Sequence, residues 1–407
     1  MTSHFYFEID NKQSLATINR FDIGFMKRNC LFKRGLSTTR KGFGSFHSED
    51  VEVLIRQSTS EYEQPHIFKE MKHNLNERLE IFKAKYPNLS ERRTKLYQID
   101  DEWTFLNHGA FGATLTCLQD EANSWRSLCE SQPLRFYDRL LLPCIVHNLR
   151  EMALYLNCPS DELLPLPNVT TGLNSILQSV DLQPNDEIIC FSLTYGSTKK
   201  MLADLSVRTK AKVVVIPIAL PLHSSSEIMT KLQHHLNPAK TKLVVIDQIT
   251  SNTGLVLPYL EMAQLVKQLT RATVVIDAAH ALLSQEVSIY SDSNALNISS
   301  VCDFWITNGH KWLSTPKGCA FMWVSPNIRH RVRPAIISHG FASSSSSSGS
   351  SRYSDPSRLL SGFVWDGCRD YSALLTTASA LHFWREWYPA NCDSVISNGS
   401  QQKHLQK

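Results

Sequence analysis

Thr273-Val274-Val275-Ile276-Asp277-Ala278-Ala279-His280, followed by a second apolar run at Cys302 to Thr307 and then by Asn308-Gly309-His310-Lys311, is the stretch that decides the reading of this chain. Each half is a short run of β-branched or aromatic residues that stops at chemically capable polar side chains. Short apolar runs bounded by turn signals read as buried strands. The polar tips therefore fall at the carboxyl ends of strands, where ligands gather on open α/β sheets.

Lysine is rarely buried unless it is paired or functional. Lys311, ending a buried segment, suits a Schiff base to an aldehyde cofactor, a role that favours a lowered amine pKa. Asp277 suits a carboxylate that keeps a pyridine nitrogen protonated. Together the two residues suggest pyridoxal 5'-phosphate. Its phosphate needs donors at a helix start, and Asn168-Val169-Thr170-Thr171-Gly172-Leu173-Asn174 supplies hydroxyls and a glycine there. Its ring needs a stacking partner, for which Tyr195 follows a strand directly, and its ring oxygen lies within reach of His280. Each feature alone also has a structural explanation: a capped helix, a packed tyrosine, a strand-end aspartate capping a helix. Together the pieces occur along the chain in an order that one cofactor site can use.

Working outward, Glu187 to Ser192, Lys212 to Ile218, Lys242 to Ile249, Ala272 to Asp277, Cys302 to Thr307 and Cys319 to Val324 read as strands. Helix-like segments near Ser197 to Leu205, Ser225 to Leu236 and Pro258 to Leu269 separate the first four. The alternation predicts an α/β fold, a mostly parallel sheet with helices on both faces. His66 to Tyr86 places Ile67, Met71, Leu75, Leu79 and Phe82 at helical spacing, an amphipathic helix able to pack on a partner subunit. Ser343 to Ser351, eight serines and one glycine, reads as a flexible surface loop.

Composition bounds the rest. A chain of 407 residues, 42% apolar, can build a sizeable core. With 42 basic against 38 acidic residues, net charge +4 and no basic stripe, nucleic acid is not an expected partner. No apolar run approaches the ~20 residues that span a bilayer, so no membrane partner is expected. The ten cysteines include no CxxC pair, and Cys190, Cys302 and Cys319 lie in apolar runs, so core thiols are expected rather than a metal site. Between Lys27 and Ser48 stand six Lys or Arg residues and no acidic one. That segment reads as a disordered basic extension of a cytoplasmic protein or, alternatively, as a mitochondrial import signal. The expected partition is an extension over 1–60, a helical segment over 61–100, a large cofactor-binding domain over 101–390 and a polar tail over 391–407.

The order Asn-Val-Thr-Thr-Gly, Tyr-Gly, Asp-Ala-Ala-His, Gly-His-Lys-Trp resembles the class V aminotransferase family of fold-type-I pyridoxal-phosphate enzymes, particularly its isopenicillin N epimerase-like and L-cysteine desulfhydrase-like members. The resemblance covers roughly residues 100 to 390 and implies that Lys311 forms the internal aldimine and Asp277 meets the ring nitrogen. It places His280 at the ring oxygen, and Thr170, Thr171, Asn308 and His310 around the phosphate. Asn107-His108-Gly109-Ala110 resembles the family's substrate-side loop. Trp365-Asp366-Gly367-Cys368-Arg369-Asp370 resembles a segment that approaches the neighbouring subunit's cofactor, which implies a homodimer and a substrate-side place for Arg369. Asp366 and Cys368 stand where threonines are common in bacterial relatives. The family's C-terminal small domain has no counterpart before Lys407, so a truncated form is expected.

Such a site acts on a small amino-acid substrate. The expected reaction is carbon-sulfur lysis, a cysteine desulfhydrase-like β elimination. An epimerase or aminotransferase of the same family uses the same residues, and a catalytically silent dimerising or interaction protein is the alternative of another class. A persulfide-forming desulfurase needs a cysteine near the site, for which Cys368 is the candidate.

Overall fold

β-Branched and aromatic residues concentrate in seven short segments, and in the computed structural model these form one mixed sheet. The structure describes residues 49–291, 296–342 and 355–392, all within one unit spanning Ser37–Lys407. The basic stretch at 27–48, the serine-rich run and the polar tail beyond 392 lie outside the described residues. The strands are β1 (Leu163–Leu166), β2 (Glu187–Phe191), β3 (Lys212–Ile216), β4 (Thr241–Asp247), β5 (Thr273–Asp277), β6 (Phe304–Asn308) and β7 (Ala320–Val324). Their order across the sheet is β1-β7-β6-β5-β4-β2-β3. From β6 through β3 all neighbours are parallel, and β7 is antiparallel to both β6 and β1. Every residue of β5, β6 and β7 is buried, as expected for a sheet covered on both faces.

The expected strands are present, with β1 added. Its sequence, Leu163-Leu164-Pro165-Leu166, hides it because proline interrupts the run. The fold tolerates Pro165 because β1 is the sheet's terminal strand, paired on one side only, with Pro165 opposite Phe321. A second difference concerns β4, which stops at Asp247 instead of continuing to Ile249.

The helix Val169–Ser179 follows β1 and packs against β6, β7 and β1. Gly172 permits that closeness: a Cβ there would lie 2.2 Å from Ile306 Cδ1 and 2.5 Å from Leu166 Cδ1. The helix His66–Lys85 buries Ile67, Met71, Leu75 and Leu79 as its spacing predicts. It does so within the chain, where Phe68 meets Trp125 and Phe82 meets Trp387 at ring separations of 5.6 and 6.2 Å. That apolar stripe is therefore already covered. Among the described residues no helix is long and apolar enough to cross a membrane.

A buried carboxylate locks the β1–β7 end of the sheet. Glu162 accepts hydrogen bonds from the indole of Trp323 and the hydroxyl of Tyr290, each at 2.7 Å, and Arg329 Nη2 stands 3.5 Å from its other oxygen. Removing the carboxylate strands the Trp323 and Tyr290 donors and leaves Arg329 with Asp161 alone, which costs more than the hydrogen bonds contribute. We expect Glu162→Ala to lower unfolding stability by about 3 kcal/mol in a urea titration. Glu162→Gln, which keeps an acceptor, should lose less; equal losses would show that charge and not donor satisfaction holds this end.

Candidate active site

The carboxyl ends of β4, β5 and β6 stand side by side, because parallel register sets Asp247 opposite Asp277 and Asp277 opposite Ile306. Asp277 closes β5, and its Oδ1 accepts the amide of Ala279 at 3.1 Å, turning the chain so that His280 follows at once. Asn308 closes β6, and its amide oxygen accepts the Val169 N–H at 3.1 Å. That bond joins the lysine-bearing strand to the start of the helix that carries Thr170 and Thr171. Asn168 Oδ1 caps the same helix by accepting from the Thr171 amide at 2.9 Å.

Lys311 sits in the turn between β6 and β7. Its amine lies 3.1 Å from His280 Nε2, so the structure brings together the lysine, the histidine and Asp277. Burial pulls the Lys311 pKa below 10.5, opposed by the Asp277 charge. Burial and then Lys311 hold His280 down at about 4, leaving a neutral imidazole at pH 7. Burial raises the Asp277 carboxyl, while the Ala279 amide and Lys311 act the other way. His310 Nδ1–H donates to the Cys319 carbonyl at 3.0 Å, which fixes its ring beside the lysine turn. Tyr195 immediately precedes the helix Gly196–Thr209 and is 45% exposed, leaving ring surface for a stacking partner.

The loop Asn107–Ala110 lies over this group. A Cβ at Gly109 would lie 3.2 Å from His280 Nδ1, and one at Gly112 would lie 1.9 Å from the His310 carbonyl oxygen. Asn107 turns the loop by accepting the Ala110 amide at 3.2 Å, and His108 packs near Tyr97, Phe105 and Trp312. Lys317 fastens the loop from below by donating to Gly112 O at 2.8 Å. Arg369 is held elsewhere, 2.7 Å from Asp366 Oδ1 and over the Tyr371 ring at 4.1 Å. Among the described contacts it does not touch Lys311 or His280.

Sequence reasoning missed Asp247 and Lys317. Asp247 was hidden because the apolar run continues to Ile249, which made the aspartate look like strand interior. Its place at a strand tip, level with Asp277, is the signal that would have found it. Desolvation, then the Asp277 charge, push Asp247 up to about 7, against hydrogen bonds from the Thr194 side chain and the Tyr195 backbone. Its Oδ2 is buried and takes no hydrogen bond among the described residues.

A pyridoxal phosphate fits these residues. A buried acid that makes no salt bridge among the described residues, a desolvated amine, an imidazole on that amine and a hydroxyl-bearing helix start form the donor set it requires. The Aminotransferase class-V family model matches residues 145–363, more than half of the sequence, and the chain belongs to that family. It is 24% identical over 292 residues to L-cysteine desulfhydrase of Arabidopsis thaliana, covering 68% of this chain and 60% of that protein. It is 27% identical over 293 residues to isopenicillin N epimerase of Amycolatopsis lactamdurans, covering 70% of each. The fold matches the cystine C-S lyase C-DES in complex with cysteine persulfide, with a TM-score of 0.58, 18% identity and coverage of 70% of this chain and 72% of that one. The chain spans 56% to 63% of the length of its plant relatives.

Two outcomes follow from this geometry. Gly112 has φ +73 and backbone in the way, whereas Gly254 has φ +63 and open space. We expect Gly254→Ala to cost about 1 kcal/mol from backbone strain alone and Gly112→Ala at least twice that; equal thermal shifts would mean the loop does not press on the lysine turn. The second concerns Asp247. Its folded pKa near 7 exceeds the ordinary 3.8, so the folded chain keeps a proton that the unfolded chain releases, and stability falls as pH rises from about 4 to 7. Asp247→Asn keeps an acceptor and removes that titration. Its unfolding free energy should exceed the parent's little at about pH 4.5 and more at pH 8, by on the order of 2 kcal/mol at the upper end in urea titrations. A gain that does not grow with pH would contradict the assignment.

Proposed function

We propose that this chain is a pyridoxal-phosphate enzyme that breaks a carbon-sulfur bond in cysteine or a related thio-amino acid. The observation that carries the reading is Lys311 Nζ, 3.1 Å from His280 Nε2 at the tips of the strands that also present Asp277. The desulfhydrase names among its relatives support the choice of a sulfur substrate. When bound, the cofactor supplies an electron sink that makes the substrate's α proton acidic.

The chain's own residues do the rest. Lys311, whose amine burial makes easier to deprotonate, would hold the cofactor. Asp277 would set its carboxylate against the ring nitrogen of the bound cofactor, in a buried place where charge interactions are strong. Once displaced, Lys311 is an amine placed to take the α proton, and the neutral His280 beside it orients that amine and relays the proton. The helix start would hold the phosphate through its amides and the Thr170 hydroxyl, with the Thr171 hydroxyl bonded to Asn168 at 3.1 Å and Asn308 and His310 fixing the adjoining turn. Tyr195 covers the ring. With the α proton gone, the β sulfur leaves as a thiol and the carbon skeleton departs as an enamine that hydrolyses to a keto acid and ammonia.

The loop that covers the lysine also supports a homodimer. Trp103, Leu106 and Phe111 are 71%, 81% and 77% exposed, an apolar stretch beside the site that a second subunit would cover. Arg369 is then a substrate-side residue of the assembled site.

The test is the visible spectrum of cofactor-loaded protein before and after L-cysteine, with sulfide and pyruvate assayed. Borohydride should fix a pyridoxyl group on Lys311 in peptide mapping, and Lys311→Ala should abolish both the adduct and sulfide release. A reducible adduct on another lysine, or sulfide release by the variant at the parent's rate, would sink the reading. Asp277→Ala should lower kcat by at least ~100-fold, about 2.7 kcal/mol of lost stabilisation; normal turnover contradicts its role.

A further inference from the structure

A cavity of about 160 Å³ opens between the helix His66–Lys85, the helix Leu141–Leu156 and the segment from Ala378 to Glu386. None of its lining residues comes from the strands. Phe68, Leu75 and Ala378 give it apolar wall. Gln64 and His147 also line it, but they are bonded to each other at 3.2 Å, and Tyr62 holds the second His147 nitrogen at 3.2 Å. That polar pair is satisfied without a ligand.

Arg385 is different. It reaches the same cavity from a π-helical turn, Phe383–Trp387, a widened geometry that recurs at functional sites. Its Nε and Nη2 are buried, and among the described residues neither meets a hydrogen-bond acceptor. The guanidinium stands over the Tyr155 ring at 5.4 Å, which supplies a face and no acceptor for those two N–H groups. A donor taken out of water and left unbonded is costly, and a ligand that completes it recovers that cost. Glu151 lines the same cavity, yet among the described residues no ion pair joins it to Arg385. The other carboxylate, Glu386, is already engaged by Lys72 at 3.6 Å and by His382 at 3.0 Å on the exposed rim. One cation and one anion thus share the cavity without pairing.

We propose that this cavity binds a free α-amino acid, its carboxylate on Arg385, its ammonium on Glu151 and a small aliphatic side chain against Phe68 and Leu75. Charge of both signs beside apolar wall fits a zwitterion, whereas Glu151 repels a plain anion and Arg385 a plain cation. The ligand completes the hydrogen bonding of the guanidinium with charge-assisted bonds, the stronger kind. Occupancy ties the helix Leu141–Leu156 to the π-helical turn through the ligand's two ends. No bond to the ligand is covalent, so binding is freely reversible.

The probe is radiolabelled L-valine in equilibrium dialysis against the full chain, loaded with pyridoxal phosphate and reduced with borohydride. Reduction stops any amino acid from condensing with the cofactor; if Lys311 carries none, the dialysis still reads the cavity, so the two readings fail separately. We expect saturable binding at one site with a Kd of about 1 mM or tighter. Arg385→Met and Glu151→Gln should each weaken it at least ~10-fold, the loss of one charge-assisted bond. Competition on the parent protein needs no variant to fold: isovalerate lacks the ammonium and L-valinamide the carboxylate, and each should compete at least ~10-fold more weakly than unlabelled L-valine. Absence of saturable binding overturns the proposal. So does binding that both substitutions leave unchanged, or competition by isovalerate or L-valinamide as strong as that of L-valine.

Discussion

The reversed strand β7 is the constraint on which the site depends. It lies between β6 and β1, so the chain leaving β6 must double back at once, and Lys311 stands in that reversal. Gly309 N–H and the His310 ring both meet the Cys319 carbonyl, which closes the turn against the first residue pair of the hairpin. A Cβ at Gly309 would stand 2.8 Å from Cys319 Sγ, so a larger residue could not close it as tightly. A long, jointed side chain thereby gains a fixed origin, and its amine reaches His280 from the neighbouring strand end.

Low dielectric at the strand tips makes that arrangement chemically useful. Burial raises both carboxyl groups at equal height on adjacent strands, with the Asp277 charge raising Asp247 further, while a buried amine loses affinity for its proton and an imidazole beside it stays neutral. None of these groups would behave so at the surface. Depth, set by strands buried over their whole length, does as much as the identities of the side chains.

Much of this was legible in one dimension. Apolar runs ending in Asp277 and Asn308 marked strand tips because turn chemistry stops a strand where polar groups can be solvated or bonded. The parallel register that sets Asp247 beside Asp277 was not legible, since pairing depends on residues distant in sequence and an apolar Ile249 disguised the true end of β4. β1 was hidden by Pro165, which is acceptable only on a strand with one neighbour, a fact of topology rather than of local propensity. The packing of Gly109 and Gly112 on the lysine turn was hidden as well. A glycine signals permission for close approach without saying what approaches.

The sheet's order also carries a consequence for how the chain is made. β1 has a single partner, β7, and the two are separated by all the other strands in sequence. A chain emerging from the ribosome can pair β2 with β3 and then add β4, β5 and β6, while the segment Leu163–Leu166 still lacks the one strand it pairs with. Contacts of such large sequence separation form late and slowly. The helix start that carries Thr170 and Thr171 can meet Asn308 once β6 is in place, but the strand before it is fixed only after β7 has been synthesised. Until then the growing chain exposes an apolar strand edge, and it is in this interval that a chaperone has most to protect.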